Sequence, residues 1–152
     1  MGNCPYYQTA MKKDPELCNC LALRQATRLV TKIYDAALAS VELGANQYSI
    51  LSRLQRSGPT TLGDLADALV MDRSTLGHLV RPLEKRGLIR LAVGEEDRRA
   101  RLLTLTRSGE SLVQKARPLW SSAQRKFEGS FGADAAARLR TLLNDVVSSD
   151  FA

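Results

Sequence analysis

The feature that most constrains this chain lies in residues 60–107, where two short amphipathic stretches are followed by a glycine and two β-compatible runs around a charged turn. In Thr61-Leu62-Gly63-Asp64-Leu65-Ala66-Asp67-Ala68-Leu69, the apolar residues Leu62, Leu65, Ala66 and Leu69 recur at i, i+3, i+4 and i+7, the spacing of one helix face. Thr60 or Thr61 supplies an N-cap, Asp64 complements the positive end of the helix, and the stretch closes near Val70. Asp72 opens the next helix, whose Leu76, Leu79, Val80 and Leu83 share a face until Gly87 stops it. Two helices joined this closely form a helix-turn-helix candidate. Residues 88–93 and 102–106 then bracket the polar residues 94–99, which predicts a β-hairpin with a charged tip.

The flanking segments are helical in pattern. Over residues 18–42, Ala22, Ala26, Leu29, Ile33, Ala37 and Val41 make an apolar stripe that Val30, Tyr34 and Leu38 widen. Gly44 breaks that helix, and Asn46 is the expected cap of the next, which buries Ile50, Leu51 and Leu54 and ends at Ser57-Gly58-Pro59. After Thr106, a further cap, residues 109–128 carry Leu112, Val113, Ala116, Leu119, Trp120 and Ala123 on one face. Residues 129–132 are expected to interrupt the pattern before a last helix over about 134–148, striped by Leu139, Leu142, Leu143, Val146 and Val147. Pro82 and Pro118 fall inside predicted helices, where each predicts a kink or, alternatively, a boundary. The expected fold class is mainly α with a small β-hairpin wing, a winged helix-turn-helix. The 152 residues form a single chain of one domain, with residues 46–106 as the winged part between helices 18–43 and 107–150.

Composition narrows the function. Hydrophobic residues are 44% and charged residues 25%, a globular balance, and the net charge of +6 suits a polyanionic partner. Residues 72–107 hold nine basic side chains against five acids, so most of the excess sits on the helix-turn-helix and hairpin. A signal-peptide run and an apolar stretch of membrane length are both missing, so the expectation is a cytoplasmic protein with no membrane partner. His78 is the single histidine, which excludes a histidine triad or a multi-histidine metal site within one chain. No glycine-rich phosphate loop, nucleophile elbow or paired catalytic carboxylate stands out, so an enzyme is not expected.

The second helix of the motif carries the strongest functional signal. Its non-core face collects Ser74, His78, Arg81 and Lys85 at offsets of four, seven and eleven, with Arg73 and Thr75 beside them. Short hydrogen-bonding side chains near a helix N-terminus reach base edges in the major groove, and longer cations reach phosphates. Thr61, at the head of the preceding helix, completes this DNA-facing set. On the hairpin, Arg98, Arg99 and Arg101 suit a narrow minor groove, where negative potential favours arginine. Asp97 cannot ligate phosphate and is assigned to shaping the tip. The competing readings are a solvated helix face with a solvated turn, and a winged-helix module that binds proteins instead of DNA. The basic character of the outer face disfavours the latter.

Several of these runs together resemble the MarR family. They are Thr61-Leu62-Gly63-Asp64-Leu65-Ala66, Met71-Asp72-Arg73-Ser74-Thr75-Leu76, Pro82-Leu83-Glu84-Lys85-Arg86-Gly87-Leu88-Ile89, Asp97-Arg98-Arg99-Ala100-Arg101 and Leu105-Thr106-Arg107-Ser108-Gly109. The order and spacing of the wing and the Leu-Thr-x-x-Gly run are the most specific part. The resemblance implies an obligate homodimer whose terminal helices interlock, with two recognition helices in successive major grooves of a pseudo-palindrome and Arg99 in the minor groove. It also implies a repressor that a small-molecule effector or an oxidant releases from double-stranded DNA.

Cys4, Cys18 and Cys20 are odd in number and confined to the first twenty residues, so they are expected to be thiols and not a disulfide framework. Cys18 and Cys20, at the start of the first helix with Lys12 and Lys13 nearby, are candidate sensor thiols. Two cysteines could also share a soft metal ion, although one pair supplies only two of four usual ligands, and no cofactor is otherwise expected. Inert interface cysteines are the plain alternative. Tyr34, Tyr48 and Trp120 are either core aromatics or the wall of an effector pocket.

Overall fold

A computed structural model describes residues 18–93 and 101–150. Cys4, Asp97, Arg98 and Arg99 lie outside these residues. Helix α1 (Asn19–Leu38) leads through a 3-10 turn (Ala39–Val41) to α2 (Ala45–Ser57), a short strand β1 (Thr60–Thr61), α3 (Leu62–Ala68) and α4 (Arg73–Lys85). Strands β2 (Ile89–Val93) and β3 (Arg101–Leu105) follow, then α5 (Arg107–Phe131) and α6 (Ala133–Ser148). The fold is mostly helical with a small antiparallel sheet.

Within residues 18–33, the first turns of α1 carry exposed leucines at Leu21, Leu23 and Leu29. The core lies within residues 34–150. Leu38, Ile50, Leu51, Leu54, Leu65, Leu76, Leu83, Ile89, Leu103 and Val113 are almost wholly buried, so α2 through α5 close around one apolar cluster. Burying leucine-sized side chains of this kind is worth about 1.5–3 kcal/mol each. Tyr48 is buried in the same cluster and stacks on Trp120 at 6.1 Å between ring centres, while Tyr34 meets Trp120 at 6.2 Å. The Tyr34 hydroxyl donates to Gln124, and burial, then the nearby Glu128 charge, raises its pKa above the ordinary tyrosine value. These aromatics pack on one another. An open cleft of about 500 Å³ lies elsewhere, between Arg86, Leu88 and the Arg107, Ser111 and Lys115 side of α5.

Local chemistry explains the helix ends. Thr61, Asp72 and Thr106 cap α3, α4 and α5 as expected, each accepting an N–H from the residue three positions on. At α2 the expected cap is corrected: the cap is Gly44, and Asn46 lies inside the helix. Gln47 accepts the Gly44 N–H at 3.1 Å, and Asp35, arriving from α1, accepts the Ala45 N–H at 2.7 Å. With those donors satisfied from elsewhere, the helix starts before Asn46 is needed.

The expected interruption over residues 129–132 is present but confined to Gly132, because α5 continues through Gly129 and Ser130 to Phe131 and Gly132, at φ +98°, ends it. A glycine costs a helix about 1 kcal/mol but does not oblige it to stop, whereas left-handed backbone does. Pro82 and Pro118 lie inside α4 and α5 and neither is a boundary.

The hairpin is part of a three-stranded sheet in the order β1-β3-β2. Its arms pair from Ile89 with Leu105 to Val93 with Arg101, and Thr60 and Thr61 add a third strand against Leu103 and Leu102. This last pairing was not foreseen. It ties the head of α3 to the wing, so the helix-turn-helix and the hairpin share one sheet.

Candidate nucleic-acid interface

The face of α4 opposite its core side is polar along its length. Leu76, Val80 and Leu83 are buried, and Ser74, His78, Arg81 and Lys85, which fall within a narrow arc on the far side at 100° per residue, are all exposed. The spacing anticipated this arc, and packing determines that it faces solvent. Arg73 and Thr75 flank it and are exposed as well.

The head of the helix is tightly organised. Asp72 Oδ1 accepts the Thr75 N–H at 2.7 Å and the Ser74 hydroxyl at 2.6 Å, and its Oδ2 accepts the Thr75 hydroxyl at 2.7 Å. The Ser74 hydrogen bond, followed by those from Thr75, holds the Asp72 carboxyl far below the usual carboxylate range, so it is ionised at neutral pH. Thr61 is bonded in a similar way, its hydroxyl donating to Asp64 Oδ2 at 2.7 Å while accepting the Asp64 N–H at 3.1 Å.

Arg73 folds back over α3. A β-carbon built on Gly63 would stand 3.1 Å from its terminal nitrogen and 3.3 Å from the guanidinium carbon. The missing side chain at Gly63 therefore makes room for the guanidinium against the start of α3. Sequence spacing placed Arg73 beside the stripe but could not show this fold-back.

Two supporting contacts escaped the sequence reading. Arg86 donates to the Glu42 carbonyl at 2.6 Å and the Val41 carbonyl at 3.5 Å, clamping the end of α4 to the connection between α1 and α2. At the base of the wing, Thr106 donates its hydroxyl to the Gly87 carbonyl at 2.6 Å while accepting the Gly109 N–H at 3.1 Å. Gly109 itself is buried, and a β-carbon there would lie 2.2 Å from the Leu88 carbonyl oxygen. The Leu-Thr-x-x-Gly run is thus a junction that brings α5 against the exit from α4. Its signal in the sequence was visible, but its partners were not.

On the wing, Arg101 occupies the last described rung of the hairpin, opposite Val93, and is exposed. Cys18 precedes α1 and Cys20 lies in its first turn, both exposed and both free thiols. Among the described residues, no three His, Cys, Asp or Glu side chains gather as a metal site, and no helix is long and apolar enough to cross a membrane.

A helix-turn-helix whose second helix turns a basic, hydrogen-bonding face outward, backed by a three-stranded wing, defines a winged helix-turn-helix DNA-binding transcriptional regulator. The MarR family model matches residues 43–100. The chain is 32% identical over 106 residues to the organic hydroperoxide resistance transcriptional regulator of Bacillus subtilis, covering 70% of this chain and 71% of that one. It is 28% identical over 128 residues to the transcriptional repressor NicR of Pseudomonas putida, covering 84% and 81%. Among solved structures, the M. tuberculosis transcriptional regulator MosR in complex with DNA superposes with a TM-score of 0.76 at 30% identity, covering 86% and 93%. The chain belongs to the MarR family.

Proposed function

We propose that the chain is a homodimeric repressor that binds a pseudo-palindromic operator and leaves it when a small molecule or an oxidant acts. Residues 46–106 are the DNA-binding part, and residues 18–43 and 107–150 supply the dimerisation helices. The observation that carries this reading is the exposed arc of Ser74, His78, Arg81 and Lys85 directly opposite the buried Leu76, Val80 and Leu83. In this reading α4 enters the major groove, with Ser74, Thr75 and His78 toward base edges and Arg81 and Lys85 toward bases or phosphates. Thr61 and Arg73 hold the backbone beside it. Arg98, Arg99 and Arg101 follow the minor groove from the wing, whose tip Asp97 shapes.

Dimerisation is supported by apolar side chains that the single chain leaves in water: Leu29 is 60% exposed on α1, and Leu142 and Val147 are 62% and 63% exposed on α6. Two-fold symmetry then requires half-sites with centres about 10 bp apart or a multiple of that. The protein works in the cytoplasm and has no catalytic role. Cys18 and Cys20 are the sensor thiols of this reading, supported by their exposure and by the hydroperoxide-linked name of the Bacillus subtilis relative.

The test is a fluorescence-anisotropy titration of the full chain against DNA from its own upstream region, at two salt concentrations and with excess random competitor. Competitor-resistant binding by one dimer per site, weakened steeply by salt, is the expected result. Binding that random DNA abolishes would reject sequence-specific recognition. Repeating the titration with hydroperoxide on the chain carrying Cys18→Ser and Cys20→Ser isolates the thiols, because oxidant release that persists in that variant removes them from the sensor.

A further inference from the structure

The head of α4 determines not only where two hydroxyls lie but which hydrogen-bonding role is left to them. Each hydroxyl owns one hydrogen. Ser74 gives its hydrogen to Asp72 Oδ1 at 2.6 Å and Thr75 gives its own to Asp72 Oδ2 at 2.7 Å. The partner is an ionised carboxylate that can only accept, and bonds of this charged kind are roughly twice as strong as neutral ones. Turning either hydrogen toward DNA would break such a bond close to a polyanion, leaving Oδ1 with the Thr75 N–H alone or taking from Oδ2 its hydroxyl donor. What remains on each oxygen is lone-pair density, and both side chains are exposed.

We infer that Ser74 and Thr75 read DNA as acceptors only. In the major groove the donors are the N4 amino group of cytosine and the N6 amino group of adenine, whereas guanine and thymine offer O6, N7 or O4 acceptors in those positions. Every base pair carries one of these amino groups, so beneath the N-terminal turn of α4 the hydroxyls read the cytosine or adenine of each pair they touch, and the guanine O6 and N7 acceptors fall to the cations of the same arc, Arg81 and Lys85. Asp72, which touches no base, is the positioning residue that imposes this polarity. The inference rests on the reading that α4 enters the major groove, and it adds the base class that its first turn selects.

Asp72→Asn separates polarity from shape. Asparagine caps helices about as well as aspartate and its carbonyl oxygen still accepts the Thr75 N–H. Its amide nitrogen donates, however, so at least one of the two hydroxyls must accept from it and release its own hydrogen outward.

The experiment is selection of half-sites from a randomised duplex library by the full-length wild type, Ser74→Ala, Thr75→Val and Asp72→Asn. It is followed by anisotropy on the selected site carrying purine in place of adenine, or 2-pyrimidinone in place of cytosine, to delete single amino groups. At the pairs where Ser74→Ala or Thr75→Val abolishes the wild-type preference, losing the amino group of the cytosine or adenine should cost about fivefold in affinity, the net worth of one hydrogen bond. Asp72→Asn, with unchanged helix content, should tolerate exchange of the two bases in one of those pairs, which puts guanine or thymine where the amino-bearing base stood. Full affinity after the amino group is lost at those pairs, or an unaltered preference in folded Asp72→Asn, would overturn the acceptor assignment while leaving α4 as the reading helix. Preferences untouched by Ser74→Ala, Thr75→Val and a companion Arg81→Ala would instead reject the reading helix itself, and the inference with it.

Discussion

Helices α4 and α6 carry the same kind of apolar stripe and meet different fates. In α4, Leu76 and Leu83 have no exposed surface, and Val80 is buried with them. In α6, Leu142, Leu143, Val146 and Val147 all remain exposed, and Ala136 is its one residue in the core. Amphipathic periodicity states that a face wants to be covered, not by what. For α4 the cover is the rest of this chain. For α6 the proposed cover is a second copy.

The sharpest way to break that comparison is to truncate a leucine on each side of it. Leu83→Ala should cost about 3 kcal/mol of unfolding free energy, the ordinary penalty for a core leucine, and urea melts should give the same loss at every protein concentration. The paired change Leu142→Asp with Val146→Asp should leave helix content intact but give monomers in sedimentation. Operator affinity should then fall about 100-fold, or about 2.8 kcal/mol. Dimers that survive these two charges would show that α6 does not form the interface.

Two smaller substitutions sharpen the account of the DNA-binding part. Gly109→Ala forces a β-carbon onto the Leu88 carbonyl and should destabilise the chain by about 2 kcal/mol, with the wing and the start of α5 losing hydrogen-exchange protection first. Val70, in the turn between α3 and α4, has φ +52° although it is β-branched, and it is 72% exposed, so little packing opposes a change there. Val70→Gly should raise stability by about 1 kcal/mol in the same melts, because the left-handed penalty disappears. A loss of stability would mean that the valine side chain contributes more in the turn than its exposure implies.

Legibility followed sequence distance. Asp72, Thr61 and Thr106 were readable as caps because each bonds an N–H three residues away. The outward arc of α4 was readable because helical periodicity alone orders Ser74, His78, Arg81 and Lys85. Asn46 misled for the complementary reason: the donors at the start of α2 are satisfied in part by Asp35, ten residues earlier and on another helix. The interruption expected from Gly129 to Gly132 narrows to Gly132 alone, because a glycine permits left-handed backbone without requiring it.

The order of the elements, the faces that demand burial and the polar arc of the second motif helix are written in the residue pattern, since all of these follow from bonds and spacings within a few residues. Tertiary structure alone decided that Thr60 and Thr61 join the wing sheet, that Arg86 reaches back to Glu42, that Gly109 admits the Leu88 carbonyl and that Arg73 lies over Gly63. Those contacts join residues from ten to more than forty positions apart. Such approaches exist only once the core has brought the elements together, and no local pattern encodes the distance between them.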